Sequence, residues 1–157
     1  MNYKDININD IYYSRNNILY KNDKLEIVFP AMATLAGIEK NFEKYQIKLE
    51  INDSEFHNFL RNLEENNKKM CKKLSKYKSN IIKQNDKYYI VLKVPNRYGK
   101  YELMIRSERV YLPVSTDIKE NTTVICSVSV PYIWNFTTAD DIDMSGCMME
   151  VKEIFIV

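Results

Sequence analysis

A chain of 157 residues with 45% hydrophobic and 28% charged residues is long enough for one hydrophobic core and has the composition of a soluble globular protein. It holds only three glycines and four prolines, so neither of the common glycine-rich phosphate-binding loops is present. The formal net charge of +2 identifies no partner by itself, but lysine and arginine cluster at residues 68–78 and 93–109, where local basic patches can form.

The N-terminal residues 1–22 alternate only weakly between polar and apolar side chains, which predicts either short strands or an ordered N-terminal arm. Such an arm could complete a barrel, cross to another subunit or fold over a groove. A clearer strand follows at residues 24–29. The run from 42 to 51 then alternates strictly, so we predict a strand with Lys44 and Lys48 together on its polar face.

A long helix is predicted next, over residues 53–78. Asn52 followed by Glu55 is a capping pattern, and apolar residues then recur at spacings of three, four and seven as far as Tyr77. The second half of this segment carries six lysines, which we interpret as a solvated face of the helix.

Strands return after the helix. In the strand at 88–94, Tyr89 and Lys93 share one face. The following PNRYGK predicts a hairpin loop with Arg97, Tyr98 and Lys100 projecting from its tip. Further strands are expected at residues 101–106 and 109–114.

The last part of the sequence, residues 121–157, is typical of two long antiparallel strands joined by an exposed loop. Alternation places residues 124, 126, 128 and 130 on one face of the first strand. Pro131 then interrupts the ladder, so the aromatic residues Tyr132 and Trp134 beyond it are expected to be aimed differently. This is a candidate ligand site.

The order of these elements is several strands, one helix and then five or six strands. It predicts a mainly β fold with one long helix, and we favour an OB-like antiparallel Greek-key β-barrel in a single domain spanning residues 1–157.

Two strings, VICSVSVPYIWNF and SGCMMEVKEIFIV, resemble the closing strands of OB-fold single-stranded-DNA-binding proteins of large DNA viruses and related linear DNA elements. The resemblance covers about the last third of the chain, and YQIKLEINDSEFHNFL more loosely. It implies a viral, sequence-tolerant, non-catalytic protein that binds single-stranded DNA during replication or recombination. A basic groove with stacking aromatic residues would hold the strand. The chain departs from the expectation in its nearly neutral charge and in lacking an acidic C-terminal tail.

Single-strand binding requires flat aromatic rings for the bases and cations for the phosphates. Both kinds of side chain interleave between residues 88 and 111, where an aromatic on the predicted loop has no core to pack against. The candidate binding residues are Lys44, Lys48, Tyr89, Lys93, Arg97, Tyr98, Lys100, Tyr101, Arg106, Arg109, Tyr132 and Trp134. Single-stranded DNA is the expected partner, with RNA, a second copy of the chain and replication proteins left open. The alternative is a non-catalytic interaction or scaffold subunit.

Other chemistries find little support. Three widely spaced cysteines and the single His57 indicate neither a disulfide framework nor a zinc site. The acids at 140, 141 and 143 lack the further spaced ligands of a calcium loop. No catalytic signature, cofactor motif, secretory segment or membrane span is found, so we expect a soluble, non-enzymatic protein of a reducing intracellular compartment, which would be the host cytoplasm for a viral protein.

Overall fold

The computed structural model describes residues 1–108, 110–113 and 117–157. One α-helix, α1, spans Ser54–Lys68, and two short 3-10 helices span Tyr3–Asp5 and Ile8–Asp10. The strands are β1 (Ile11–Ser14), β2 (Asn17–Tyr20), β3 (Asp23–Lys24), β4 (Glu26–Val28), β5 (Met32–Ala33), β6 (Glu39–Asn41), β7 (Lys44–Glu50), β8 (Lys76–Lys78), β9 (Ile81–Gln84), β10 (Lys87–Val94), β11 (Asn96–Arg97), β12 (Lys100–Tyr101), β13 (Met104–Ser107), β14 (Val110–Leu112), β15 (Thr123–Ser129), β16 (Ile133–Thr137), β17 (Asp143–Cys147) and β18 (Glu150–Ile156).

The main sheet brings early and late parts of the chain together. Strands β4 and β5 pair antiparallel with β15, and β15 pairs antiparallel with β18. Strand β18 meets β10 through one parallel pair, Lys93 with Glu150, and β10 pairs antiparallel with β7. A bridge between Thr34 and Leu49 links β7 to the segment after β5. This order is consistent with an OB-like fold, and the predicted mainly β architecture with one helix is confirmed.

Period-two alternation explains which faces of these strands are buried. Val124, Cys126 and Val128 of β15 are fully buried, as the sequence pattern predicts. On β7, Ile47 and Leu49 point into the core, so Lys44 and Lys48, which belong to the alternate face, point outward. Strand β10 follows the same rule from Ile90 to Val94, and its outward face therefore lies beside that of β7.

Helix α1 begins one residue later than the capping pattern suggested. Asp53 is the cap, and its carboxylate accepts hydrogen bonds from the backbone N–H groups of Glu55 and Phe56. The helix then buries Phe56, Leu60 and Leu63 against the sheet side of the core.

The N-terminal residues pack within the chain's own core. The Tyr3 ring lies 4.9 Å from that of Phe56 between centroids, in an edge-to-face arrangement. The hairpin β1–β2 contributes buried Ile11 and Ile18, and Asn17 bridges to Tyr132. Residues 1–22 thus pack against α1 and against the segment that follows β15.

The predicted helix over 53–78 was too long, because α1 ends at Lys68 and residues 76–78 form strand β8. The apolar spacing continues through Met70 and Leu74, but these side chains are 49% and 95% exposed and meet no core. Leu74 has a φ of +77°, which ends any helical path. Strand pairing with β17 instead supplies the backbone hydrogen bonds of this segment.

The two long strands predicted in residues 121–157 do pair, as β15 and β18, but a further sheet replaces the expected simple loop between them. Strands β16 and β17 form an antiparallel hairpin, and β8 joins β17 in parallel. Pro131 lies between β15 and β16, where it ends the ladder of the main sheet.

Within the described part of the chain, no helix combines the length and the apolar character needed to span a bilayer.

Candidate functional site

A cleft of about 390 Å³ opens on the outward face of β7 and β10. Its floor carries polar side chains of β7 and residues 91 and 93 of β10. The segment between β8 and β9 lies along it, as do β16 and the segment that connects β17 to β18. The residues that line it are Lys44, Tyr45, Gln46, Lys48, Lys78, Ser79, Asn80, Ile82, Val91, Lys93, Trp134, Cys147, Met148 and Met149.

Trp134 is the aromatic wall of the cleft, and a glycine determines how it lies. Trp134 is directly opposite Gly146 in the β16–β17 ladder. A Cβ atom on Gly146 would lie 2.3 Å from Cζ2 of the indole, far inside van der Waals contact. The ring therefore rests on the backbone of β17, where only glycine fits, and it remains partly exposed.

Four lysines give the cleft its charge: Lys44, Lys48, Lys78 and Lys93. The Nζ atom of Lys48 lies 3.8 Å from Glu39, and that of Lys93 lies 3.7 Å from Glu150. Both pairs are partly exposed, so water screens them and each contributes little to stability. Among the described residues, no carboxylate lies within 4.0 Å of the Nζ atoms of Lys44 or Lys78, so these two cations are free for an anionic ligand.

The wall formed by Lys78, Ser79 and Asn80 is anchored to the helix by a buried carboxylate. Glu64 is 2% exposed and accepts hydrogen bonds from the Ser79 hydroxyl and from the backbone N–H of Asn80, the latter at 3.1 Å. The carbonyl of Asn80 in turn accepts a 2.8 Å hydrogen bond from the N–H of Val91 on the floor. This network fixes the position of Lys78 beside the cleft.

A second concavity of about 350 Å³ continues the cleft. It shares Lys44, Tyr45 and Lys93 with the first and reaches Asn96 and Glu102 at the base of the β11–β12 hairpin. The two concavities therefore form one continuous track, which runs over the start of β7 and the end of β10.

The β11–β12 hairpin projects as the sequence predicts. Its turn residues Tyr98 and Gly99 have φ values of +51° and +78°, the pattern of a type I′ turn, and Tyr98 is 96% exposed. Arg97 forms an exposed ion pair with Glu102, with Nε 3.3 Å from the carboxylate. Lys100 is exposed as well.

Tyr101 differs from the tip residues because it is half-buried. Its ring meets that of Tyr45 edge to face, with centroids 5.3 Å apart. Burial is the main cause that raises the pKa of the Tyr101 hydroxyl, with nearby Tyr45 and Asp117 adding to it. Tyr101 therefore packs against Tyr45 at the floor of the track, and its ring is not freely exposed to solvent.

The remaining candidates lie away from the cleft. Tyr89 was expected to present its ring, but it is only 5% exposed because β9 pairs alongside it, so it offers no stacking face. Arg106 pairs with Glu153 and lies over the Phe155 ring, 4.6 Å from the centroid, on the far side of β18. Tyr132 is 37% exposed, precedes β16 and does not line the cleft. Arg109 lies outside the described residues.

Lys78 is a cleft residue that the sequence did not single out. It was placed within the predicted helix, where it counted as one of several solvated lysines. Gly146 likewise gave no signal, because its importance depends on which residue faces it across the hairpin.

Cysteine reactivity provides a test of how the cleft is packed. Burial raises the pKa of Cys126 to about 12 and also raises the pKa of Cys147 and of Cys71, but Cys71 is only half-buried and can be reached by a reagent. We expect Ellman's reagent at pH 8 to modify Cys71 slowly in the native protein and all three thiols in denaturant. Rapid modification of all three thiols without denaturant would contradict the packing around β15 and β17.

Among the described residues, no group of three or more His, Cys, Asp or Glu side chains is placed to hold a metal ion. The cleft therefore offers cations, an indole and backbone groups as its binding chemistry.

No protein-family model and no curated protein sequence matches this chain. Among solved structures, its fold is similar to that of a single-stranded DNA-binding protein from bacteriophage Enc34, determined as a C-terminal truncation. The TM-score is 0.54 at 13% sequence identity, and the match covers 92% of this chain and 91% of the phage protein's chain. At this identity the likeness shows a shared fold.

Proposed function

We propose that the protein binds single-stranded DNA in the cleft on β7 and β10, with little sequence preference, and serves DNA replication or recombination. The observation that carries this proposal is the placement of the partly exposed Trp134 beside four lysines in one open cleft. An indole offers a stacking surface to any base, and the lysines follow the phosphates.

The position of the cleft in the fold supports the proposal. OB-folds hold oligonucleotides on the face of their second and third strands and with the loops after the first and fourth. If β4 with β5, β7, β10, β15 and β18 are taken as the five strands in chain order, the cleft lies on the second and third. Trp134 belongs to the connection between the fourth and fifth. The phage protein of similar fold is named a single-stranded DNA-binding protein, which supports the same class of ligand for this chain.

The chemistry of the cleft favours sequence tolerance. Stacking contributes roughly 1–3 kcal/mol per base without reading its edge, and lysine contacts phosphates as a point charge. The partial pairing of Lys48 with Glu39 and of Lys93 with Glu150 keeps the cleft's charge moderate. Because the lysines contact phosphates through their charge, we expect the affinity to fall as the salt concentration rises.

The test is fluorescence anisotropy of a labelled oligo-dT of about 15 nucleotides, with a duplex of equal length and an oligo-rU as comparisons. The four cleft lysines are expected to contribute about −3 to the slope of log K against log salt, from roughly 0.7 per phosphate contacted. Changing Lys44, Lys48 and Lys93 together to Gln should make the slope about 2 shallower.

The matched control is the triple change of Lys4, Lys21 and Lys24 to Gln, which removes the same charge from exposed positions outside both concavities. It should leave the slope unchanged. Absence of binding to oligo-dT at low salt would overturn the proposal and favour a non-catalytic interaction subunit. Tighter binding to oligo-rU would identify RNA as the ligand instead.

A further inference from the structure

We infer that the bound strand leaves the cleft past Trp134 and continues over a second surface, the outward face of the β16–β17–β8 sheet with the lysine-rich loop beside it. This inference rests on the proposed function and extends the binding site. We call this second surface the lysine face. It is formed by Lys72, Lys73, Lys76, Lys78, Phe136 and Met144.

Strand register places its aromatic and basic groups in two parallel rows. Directly opposed residues point to the same side of a sheet. One row therefore reads Trp134, Gly146, Lys78 across the three strands. The next row reads Phe136, Met144, Lys76, on the same face because it is displaced by two residues along each strand.

Part of the opposite face of this small sheet packs into the core. Ile133, Ser145 and Cys147 on that side are each no more than 2% exposed. Phe136, in contrast, is 61% exposed, and Lys76 and Lys78 are exposed too. The aromatic side chain of Phe136 therefore faces solvent, and packing in the core does not explain why an aromatic residue occurs at this position.

The loop between α1 and β8 adds more positive charge at the edge of this sheet. Residues 68–78 contain six lysines and no acid, a formal charge of +6 against +2 for the whole chain, which leaves −4 for the rest. Lys68 is paired with Glu65 at 3.0 Å, but no described carboxylate lies within 4.0 Å of the other five lysine Nζ atoms. A polyanion is therefore the ligand whose charge this segment complements.

Two shallow concavities meet at Lys72. One, of about 370 Å³, is lined by residues of the loop, and the other, of about 110 Å³, contains Phe136 and Met144. Lys78 and Trp134, the two ends of the first row, also line the main cleft. The two rows of the sheet therefore carry aromatic and cationic groups onward from the cleft, and Lys72 lies beside Phe136, Met144 and Asp143.

The experiment compares oligo-dT of about 5 and about 15 nucleotides, the shorter being enough for the cleft alone. The triple change of Lys72, Lys73 and Lys76 to Gln should reduce the salt slope for the longer strand by about 2, while binding of the shorter strand depends on Lys48 and Lys93. Phe136→Ala should weaken binding of the longer strand about 5-fold or more. The Lys4, Lys21 and Lys24 triple variant again serves as the charge-matched control.

Each outcome is decisive. A longer strand that binds no tighter than the shorter one, or a salt slope unaffected by the Lys72, Lys73 and Lys76 changes, would overturn the extended path and leave the cleft proposal standing. In that case the lysine face would be a docking site for another acidic partner. Failure of both oligonucleotides to bind the unmodified protein would overturn the proposed function itself, and with it this inference.

Discussion

Replacing Phe56 with alanine is expected to lower the free energy of unfolding by about 3–5 kcal/mol. Phe56 is fully buried at the start of α1, and its ring lies 4.9 Å from that of Tyr3 and 4.8 Å from that of Phe29 between centroids. Its removal leaves a cavity between the helix, the N-terminal segment and the sheet, which must move together to fill it. Urea unfolding followed by circular dichroism measures the change.

Phe42→Ala is the matched control, since the same atoms are removed from a side chain that is 92% exposed at the turn between β6 and β7. We expect that change to lie within about 0.5 kcal/mol of zero. Similar losses for both variants would mean that α1 does not pack on the sheet through Phe56.

Replacing Trp134 with alanine is expected to weaken binding to oligo-dT by roughly 1–3 kcal/mol, a factor of about 5 to 150, because the cleft loses its stacking ring. Trp134 is the only tryptophan in the chain, so its fluorescence should be quenched when the unmodified protein binds the strand. Anisotropy and fluorescence titrations therefore report on the same contact by independent signals.

Three further variants test whether the loss of affinity is specific to the indole of Trp134. Trp134→Phe keeps a flat ring and should retain most of the affinity, whereas Gly146→Ala should displace the indole, because its new Cβ would collide with Cζ2. Tyr111→Ala removes an aromatic side chain that is 70% exposed on β14, outside the cleft, and should leave affinity unchanged. Equal losses in Trp134→Ala and Tyr111→Ala would exclude Trp134 as a specific stacking site.

Much of the main sheet could be predicted from the sequence because each central strand has one buried face. Strict alternation in β7 and β15 predicted both the strands and their inward residues, and the hairpin with Tyr98 at its tip followed from a short run containing Pro95 and Gly99. Such signals lie within short segments of the sequence, so they can be recognised without knowing the fold.

The site was less predictable because it depends on partners distant in sequence. The sequence pattern places Tyr89 and Lys93 on the same strand face. In the structure β9 pairs beside Tyr89, which is buried, whereas Lys93 lies in the cleft. The predicted end of α1 was wrong because apolar residues at spacings of three and four continue beyond Lys68, although those residues have no core to pack against. The pairing of β8 with β17, which brings Lys78 to Trp134, had no sequence signal.

Strand β18 lies between β10, β13 and β15, although it follows all of them along the chain. The hairpins β9–β10 and β16–β17 can form early, because each closes a short loop. The pairings of β10, β13 and β15 with β18 can form only after β18 has been synthesised. Trp134 follows both β7 and β10 along the chain. During synthesis on the ribosome, a nascent chain would therefore present the lysines of β7 and β10 without the indole, and tight capture of a DNA strand should be delayed until folding is nearly finished.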